Sequence, residues 1–233
     1  DYLATRKLSV EEARMFHLGV VADPAPGHEQ FKNRLAIPYI TPSGVVDIRF
    51  RAMLDEEPKY MGMPGAQTTM YNTSACFAAK DYICVTEGEL DCVIMGTKTI
   101  HPSVGIPGAN NWKPHYTRIL DDFDMVIVLT DGDPAGAEFG KKITRELPNA
   151  NVINMPEGED VNSVFIKLGK EWIDERIRNC IASNRSIFCG CNSYCAICPV
   201  NYVLNCVSCN ADVFYKSCIN AHSWHTRVFR SWV

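Results

Sequence analysis

Nothing in this 233-residue sequence approaches the roughly 20 consecutive apolar residues that crossing a bilayer requires. The opening Asp1-Tyr2-Leu3-Ala4-Thr5-Arg6-Lys7 also lacks the apolar centre of a secretory signal. A cytoplasmic location with no membrane partner is therefore expected. Positive charge is not in excess either: 23 Lys and Arg stand against 27 Asp and Glu, and the pI is near 5.9. That balance argues against a broad basic surface of the kind that neutralises many phosphates. No Gly-x-x-x-x-Gly-Lys-Ser/Thr phosphate loop occurs in the sequence, so a fused P-loop motor is not expected. Internal repeats and low-complexity tracts are missing as well. Cysteine is scarce up to residue 178, where Cys76, Cys84 and Cys92 have no paired spacing and read as small core residues.

What is present is enough apolar sequence, 46% of residues against 21% charged, to bury a core in one or two domains. The charge is divided: residues 1–178 hold 19 basic against 26 acidic side chains, while residues 179–233 hold 4 against 1. An acidic body suits a gathering of metal-holding carboxylates, and equally an ordinary acidic enzyme. Eight of the 11 cysteines lie between Cys180 and Cys218, which marks a separate tail held by metal or disulfides.

Ser9 followed by Glu12 has capping-box spacing, and Val10, Ala13 and Phe16 then share a helical stripe. Past the Pro/Gly-rich loop 23–27, residues 34–40 and 44–51 read as a hairpin. In its second strand Val46, Ile48 and Phe50 alternate with Asp47, Arg49 and Arg51, giving one apolar and one charged face. From residue 81 the pattern changes. Tyr82–Thr86 and Met125–Thr130 are short apolar runs of the buried parallel type, each followed by helical sequence. Asp133-Pro134 reads as N-cap and first helical residue of a helix to about Leu147, then strand at 150–155 and helix within 161–177. Alternating strand and helix predicts an α/β fold with a doubly wound parallel sheet.

Two of those apolar strands end on acidic residues: Val85-Thr86-Glu87-Gly88-Glu89-Leu90-Asp91 and Leu129-Thr130-Asp131-Gly132-Asp133-Pro134-Ala135-Gly136. Ligands of open α/β sheets bind at the carboxyl ends of strands, so Glu87, Asp131 and Asp133 are placed to converge on one crevice. Three carboxylates there repel unless a cation is present. Hard oxygen donors without nearby His or Cys favour Mg2+ or Mn2+ over zinc. Asp-Gly-Asp-Pro serves equally well as a turn and helix cap, and that alternative stands at this point.

The Glu-Gly and Asp-Gly-Asp-x-Ala-Gly pair resembles the two signatures of the Toprim domain. Four further segments resemble, in order, the catalytic core of DnaG-type primases. They are Tyr2-Leu3-Ala4-Thr5-Arg6-Lys7-Leu8-Ser9 with Phe16-His17-Leu18-Gly19, Asn33–Tyr39 with Gly44 and Arg49-Phe50-Arg51, Pro58-Lys59-Tyr60, and Pro156–Asn162. The likeness runs from Tyr2 to about Arg178 and is nearest to the compact primases of mycobacteriophage-like viruses.

That resemblance implies a Toprim (Rossmann-like) catalytic domain over 81–178, preceded by a small α+β subdomain with a basic hairpin over 1–80 and followed by a Cys/His-rich tail over 179–233. It implies a DNA primase, a nucleotidyltransferase making short RNA primers on single-stranded DNA in phage replication. A Toprim nuclease and a non-catalytic replication accessory or nucleic-acid-binding protein are the alternatives. Glu87, Asp131 and Asp133 would be catalytic and hold Mg2+, with Asp91 and Asp160 as secondary ligands. Arg34, Arg49, Arg51 and Lys59 would hold template or ribonucleoside triphosphate, or would simply form the solvated face of a hairpin. Gly105-Ile106-Pro107-Gly108 would form a tight loop whose amides approach a phosphate. His101 and His115 read as structural or surface residues. The chain begins at Asp1, past the expected end of a primase zinc ribbon, so a separate zinc-ribbon segment and a replicative helicase are expected partners, in the host cytoplasm if the chain is phage-encoded.

The tail carries Cys195-x2-Cys198-x7-Cys206-x2-Cys209 and then Cys218-x3-His222-x2-His225. With Asp212 these are eight potential ligands, enough for two Zn2+ ions. The spacing resembles a B-box-type zinc finger, except that Tyr215 stands where that pattern has a ligand. Disulfides, a disordered tail, or a segment joined by rearrangement or altered frame are the alternatives.

Overall fold

Ser9 and Glu12 form the capping box that their spacing predicts. The Glu12 amide donates to Ser9 Oγ at 3.2 Å and the Ser9 amide donates to Glu12 Oε2 at 2.8 Å, opening a helix over Val10–Met15. This helix, α2, follows a short α1 (Tyr2–Thr5) in a computed structural model that describes residues 2–189. An antiparallel sheet comes next, in the order β1 (Gly19–Val20), β2 (Leu35–Thr41), β3 (Gly44–Arg51), β4 (Tyr60–Gly62). β2 and β3 are the expected hairpin, with a register shift between Tyr39 and Ile40.

The faces of β3 differ from the simple alternation. At the turn end both Val45 and Val46 are exposed, because the hairpin tip extends beyond the body it packs on. At the other end both faces are covered: Phe50 stacks on Phe31 with centroids 3.9 Å apart, while Arg51 is 8% exposed on the opposite side. The charged face is thus turned inward, which the period-2 pattern does not disclose.

After α3 (Ala75–Ala78), strands and helices alternate: β5 (Tyr82–Thr86), α4 (Glu89–Lys98), β6 (Ser103–Gly105), α5 (Pro114–Leu120), β7 (Met125–Thr130), α6 (Pro134–Glu146), β8 (Ala150–Asn154), α7 (Val161–Leu168) and α8 (Lys170–Cys189). The four strands form a parallel sheet in the order β6-β5-β7-β8. Every residue of β7 is buried, as its unbroken apolar run requires. Successive residues of that run enter opposite layers. Val126 and Val128 pack with Val85, Tyr116, Phe139 and Ile143, whereas Ile127 and Leu129 pack with Cys84, Val93, Val164 and Ile173. The second layer also takes Leu35, Ile37 and Tyr39 of β2, so the two sheets share one core, and residues 1–184 form one compact unit. The helical stretch expected after Val161 is divided at Gly169, whose φ of +81° suits a residue without Cβ. α8 continues to Cys189, past residue 178 where the tail segment was expected to begin.

Candidate functional site

β5 and β7 are hydrogen-bonded neighbours with Thr86 opposite Leu129, so the turns that leave them lie side by side. Glu87 leaves the first and Asp131 the second. The Asp131 amide donates to Glu87 Oε1 at 2.8 Å. Glycine makes the closeness possible: a Cβ on Gly136 would stand 2.7 Å from Glu87 Oε1, and one on Gly132 would collide with the Pro156 carbonyl. The third strand-end loop docks there. Gly132 donates to the Glu159 carbonyl at 2.8 Å and Gly158 donates to the Gly132 carbonyl at 2.8 Å. Asp160 then caps α7, accepting from the Ser163 amide at 2.6 Å, and the Asn162 amide donates at 3.0 Å to Asp91 Oδ1 on α4. Asp133, exposed at the start of α6, accepts from the Gly136 amide at 2.7 Å. Both Asp133 and Asp160 therefore do serve as helix caps.

Capping does not account for the electrostatics. Burial, then the neighbouring Asp133 and Asp91, raises the Glu87 carboxyl to about 7, against the hydrogen bond from the Asp131 amide. Burial, then Glu87, Asp160 and Asp133, likewise pushes Asp131 up to about 7. Asp91 is raised by burial, Asp160 and Asp131. All five acidic residues singled out in the sequence thus lie in one another's field. Two basic groups relieve it: Lys59 acts on Asp131, and Arg6 on Asp91. Asp131 Oδ1 is buried without a hydrogen-bond partner.

Among the described residues no three His, Cys, Asp or Glu side chains are already closed round one point. The donor set nonetheless fits a hard divalent cation. Its atoms are carboxylate oxygens, they repel one another, and one of them is an orphaned acceptor.

Of the four basic residues assigned to phosphate, only Lys59 is exposed. Arg34 is buried and donates to the Pro58 carbonyl at 2.8 Å. Arg49 pairs with Glu89 at 2.6 Å, and Arg51 donates to Tyr60 Oη. The amides of Gly105, Ile106 and Gly108 donate to the carbonyls of Tyr71, Thr86 and Glu87. They are not free to meet a phosphate, which corrects the reading of that loop. His101 is structural, buried against Tyr82 Oη at 2.6 Å. Cys84 and Cys92 are core residues with free thiols. The tail residues Cys195, Cys198, Cys206, Cys209, Asp212, Cys218, His222 and His225 lie outside the described residues.

Two residues that the sequence did not single out belong to the site's surroundings. Asn162 joins Asp91 to Arg6, whose Nη1 donates to Asn162 Oδ1 at 3.1 Å. Glu89, 1% exposed, accepts from both Arg49 and Tyr39. The repeated acid in Glu87-Gly88-Glu89 is the only local signal that marks it.

A family model described as Toprim-like matches residues 84–165. The Gene 57 protein of Mycobacterium phage D29 is 43% identical over 152 residues, which is 63% of this chain and 99% of that protein. The DNA primase of Buchnera aphidicola subsp. Acyrthosiphon pisum (strain APS) is 24% identical over 177 residues. That match takes in 69% of this chain but only 31% of the bacterial protein, so the chain spans about a third of such a relative. A solved DnaG primase catalytic domain bound to single-stranded DNA superposes with a TM-score of 0.62 at 22% identity, covering 76% of this chain and 72% of that one. It shares the fold.

Proposed function

This chain belongs to the Toprim-containing family of DnaG primase homologues, and from that premise we propose that it is a DNA primase, a Mg2+- or Mn2+-dependent nucleotidyltransferase that makes short RNA primers on single-stranded DNA. The observation that carries the reading is the strand-end cluster: Glu87 and Asp131, half-buried and raised to about 7, beside Asp91, Asp133 and Asp160. In this reading Glu87, Asp131 and Asp133 hold divalent cations, with Asp91 and Asp160 behind them. Cations held by these carboxylates would supply Lewis-acid stabilisation of the negative charge that develops as a ribonucleotide is joined and pyrophosphate leaves.

The chain's own residues have simpler tasks. Glu87 fixes the turn after β7 through the Asp131 amide, and Gly132 and Gly136 keep that turn against its neighbours. Lys59 brings the one exposed cation of the four to the edge of the cluster, where it suits a phosphate of template or triphosphate. Arg34, Arg49 and Arg51 are engaged by the Pro58 carbonyl, Glu89 and Tyr60. The antiparallel sheet shares a core with the strand-end site, an arrangement that favours a primase over a nuclease needing only the carboxylates.

The test is primer synthesis from labelled ribonucleotides on single-stranded DNA with Mg2+, comparing the parent chain with Asp131→Asn. The parent is expected to make oligoribonucleotides and Asp131→Asn to make none. No product from the parent beside an active primase would overturn the assignment. DNA cleavage without triphosphates, lost in Asp131→Asn, would replace it with a nuclease.

A further inference from the structure

Three arginines and two tyrosines alternate along the inner side of the antiparallel sheet. Arg6 lies over the Tyr2 ring at 5.6 Å and Arg51 over the same ring at 5.8 Å. Arg51 also lies over the Tyr60 ring at 5.0 Å, and Arg49 covers that ring at 4.6 Å. Each end of this ladder meets an acid of the Toprim-like part. Arg6 reaches Asp160 at 3.9 Å, and Arg49 reaches Glu89 at 2.6 Å. The two clasps are unequal: Asp160 is part-exposed, whereas Glu89 is 1% exposed and also accepts from Tyr39 Oη at 2.8 Å.

Glu89 is the first residue of α4, two positions after Glu87, and Tyr60 follows Lys59 directly. A line of contacts therefore runs from the first strand-end turn through Glu89 and Arg49 to Tyr60, the residue next to Lys59, whose exposed side chain carries a charge that acts on Asp131. A guanidinium held at once by a carboxylate and a ring face has little freedom to move. We propose that Glu89 is a positioning residue: through Arg49 and Tyr60 it fixes the segment at the start of β4 from which Lys59 reaches towards the carboxylate cluster. A buried carboxylate needs a partner whatever its use, but stability alone does not call for an ion pair here, since apolar side chains often fill such a space as well. For its consequence in catalysis the inference rests on the primase reading. For its geometry it does not.

Two measurements separate the inference from that reading. The first is hydrogen exchange with thermal melting on the full chain, for Glu89→Gln and for the neutral pair Glu89→Gln/Arg49→Met. The double variant leaves no unpaired buried charge, and it carries the test if Glu89→Gln does not fold. Exchange in segment 58–62 is expected to rise about tenfold or more, with the parallel sheet still protected and Tm within a few degrees of the parent. Unchanged exchange, or a rise spread over both sheets with a lowered Tm, would overturn the proposal and leave Glu89 a core residue.

The second is a double-mutant cycle of Glu89→Gln with Lys59→Ala in primer synthesis. Each single change is expected to lower kcat/KM by about tenfold to a hundredfold, as loss of positioning does. The double variant should be little worse than either single variant, because both act through Lys59. Additive losses would overturn the proposal. Local loosening of 58–62 in the Glu89 variants, together with a parent that makes no primer, would instead sink the primase assignment and leave the positioning of Lys59 standing.

Discussion

At the scale of single residues, the proposed chemistry turns on carboxyl groups that burial and mutual repulsion make hard to ionise. Glu87 and Asp131, raised to about 7, keep their protons in the folded chain at a pH where the unfolded chain has released them. Stability from this source is therefore full below the ordinary carboxylate range and is lost as pH rises through about 7. Melting the metal-free protein across that window should show Tm falling from pH 5 to pH 8. Added Mg2+ should restore it, with its largest effect above pH 7, because cation and protons compete for the same oxygens. A flat Tm with no Mg2+ shift would remove the cluster as a cation site. Asp131→Asn should raise the metal-free Tm at pH 8 and abolish the Mg2+ shift, the trade of stability for activity expected of a strained site. The places of Glu87, Asp131 and Asp133 were legible in the sequence, since Glu87 and Asp131 directly follow strands and Asp133 caps the next helix. Glu89 was not, because its significance lies in Arg49, 40 residues away.

Among the elements, the strand-end turns and the loop that closes on them matter most. Gly132→Ala puts a Cβ against the Pro156 carbonyl, so either the turn after β7 or the loop before α7 must shift. A loss of about 2 kcal/mol in chemical denaturation is expected, as for other overpacked sites. Loss of the Mg2+ shift should accompany it, because Asp160 rides on the displaced loop; unchanged denaturation and Mg2+ response would show that this junction has slack. The helices were readable wherever a cap spelled them out, at Ser9 and Glu12 and at Asp133-Pro134. β1, β4 and β6 were not, for two- and three-residue strands carry too few side chains to show a period. The inward face of β3 was hidden for another reason. Alternation tells which residues share a face, and only the neighbouring elements tell which face is covered.

Over the whole molecule, the shared core of the two sheets makes residues 1–184 behave as one body. Ile37 on β2 is fully buried in the cluster that holds Ile127 and Leu129 of β7. Ile37→Ala should cost about 2–5 kcal/mol and should lower hydrogen-exchange protection in β7 as much as in β2. Loss confined to β2 and β3 would mean that the sheets unfold separately. The sequence by itself determined the order of the longer strands and helices, the parallel character of the second sheet and the acids at its strand ends, because periods and caps are set by residues close together in the chain. Only the tertiary structure decided that five carboxyls share one field, that Asp91 meets Asn162 across 71 positions, and that three arginines turn inward to a tyrosine ladder. Those outcomes depend on how one sheet packs against another, and the burial that fixes them comes from residues distant in sequence.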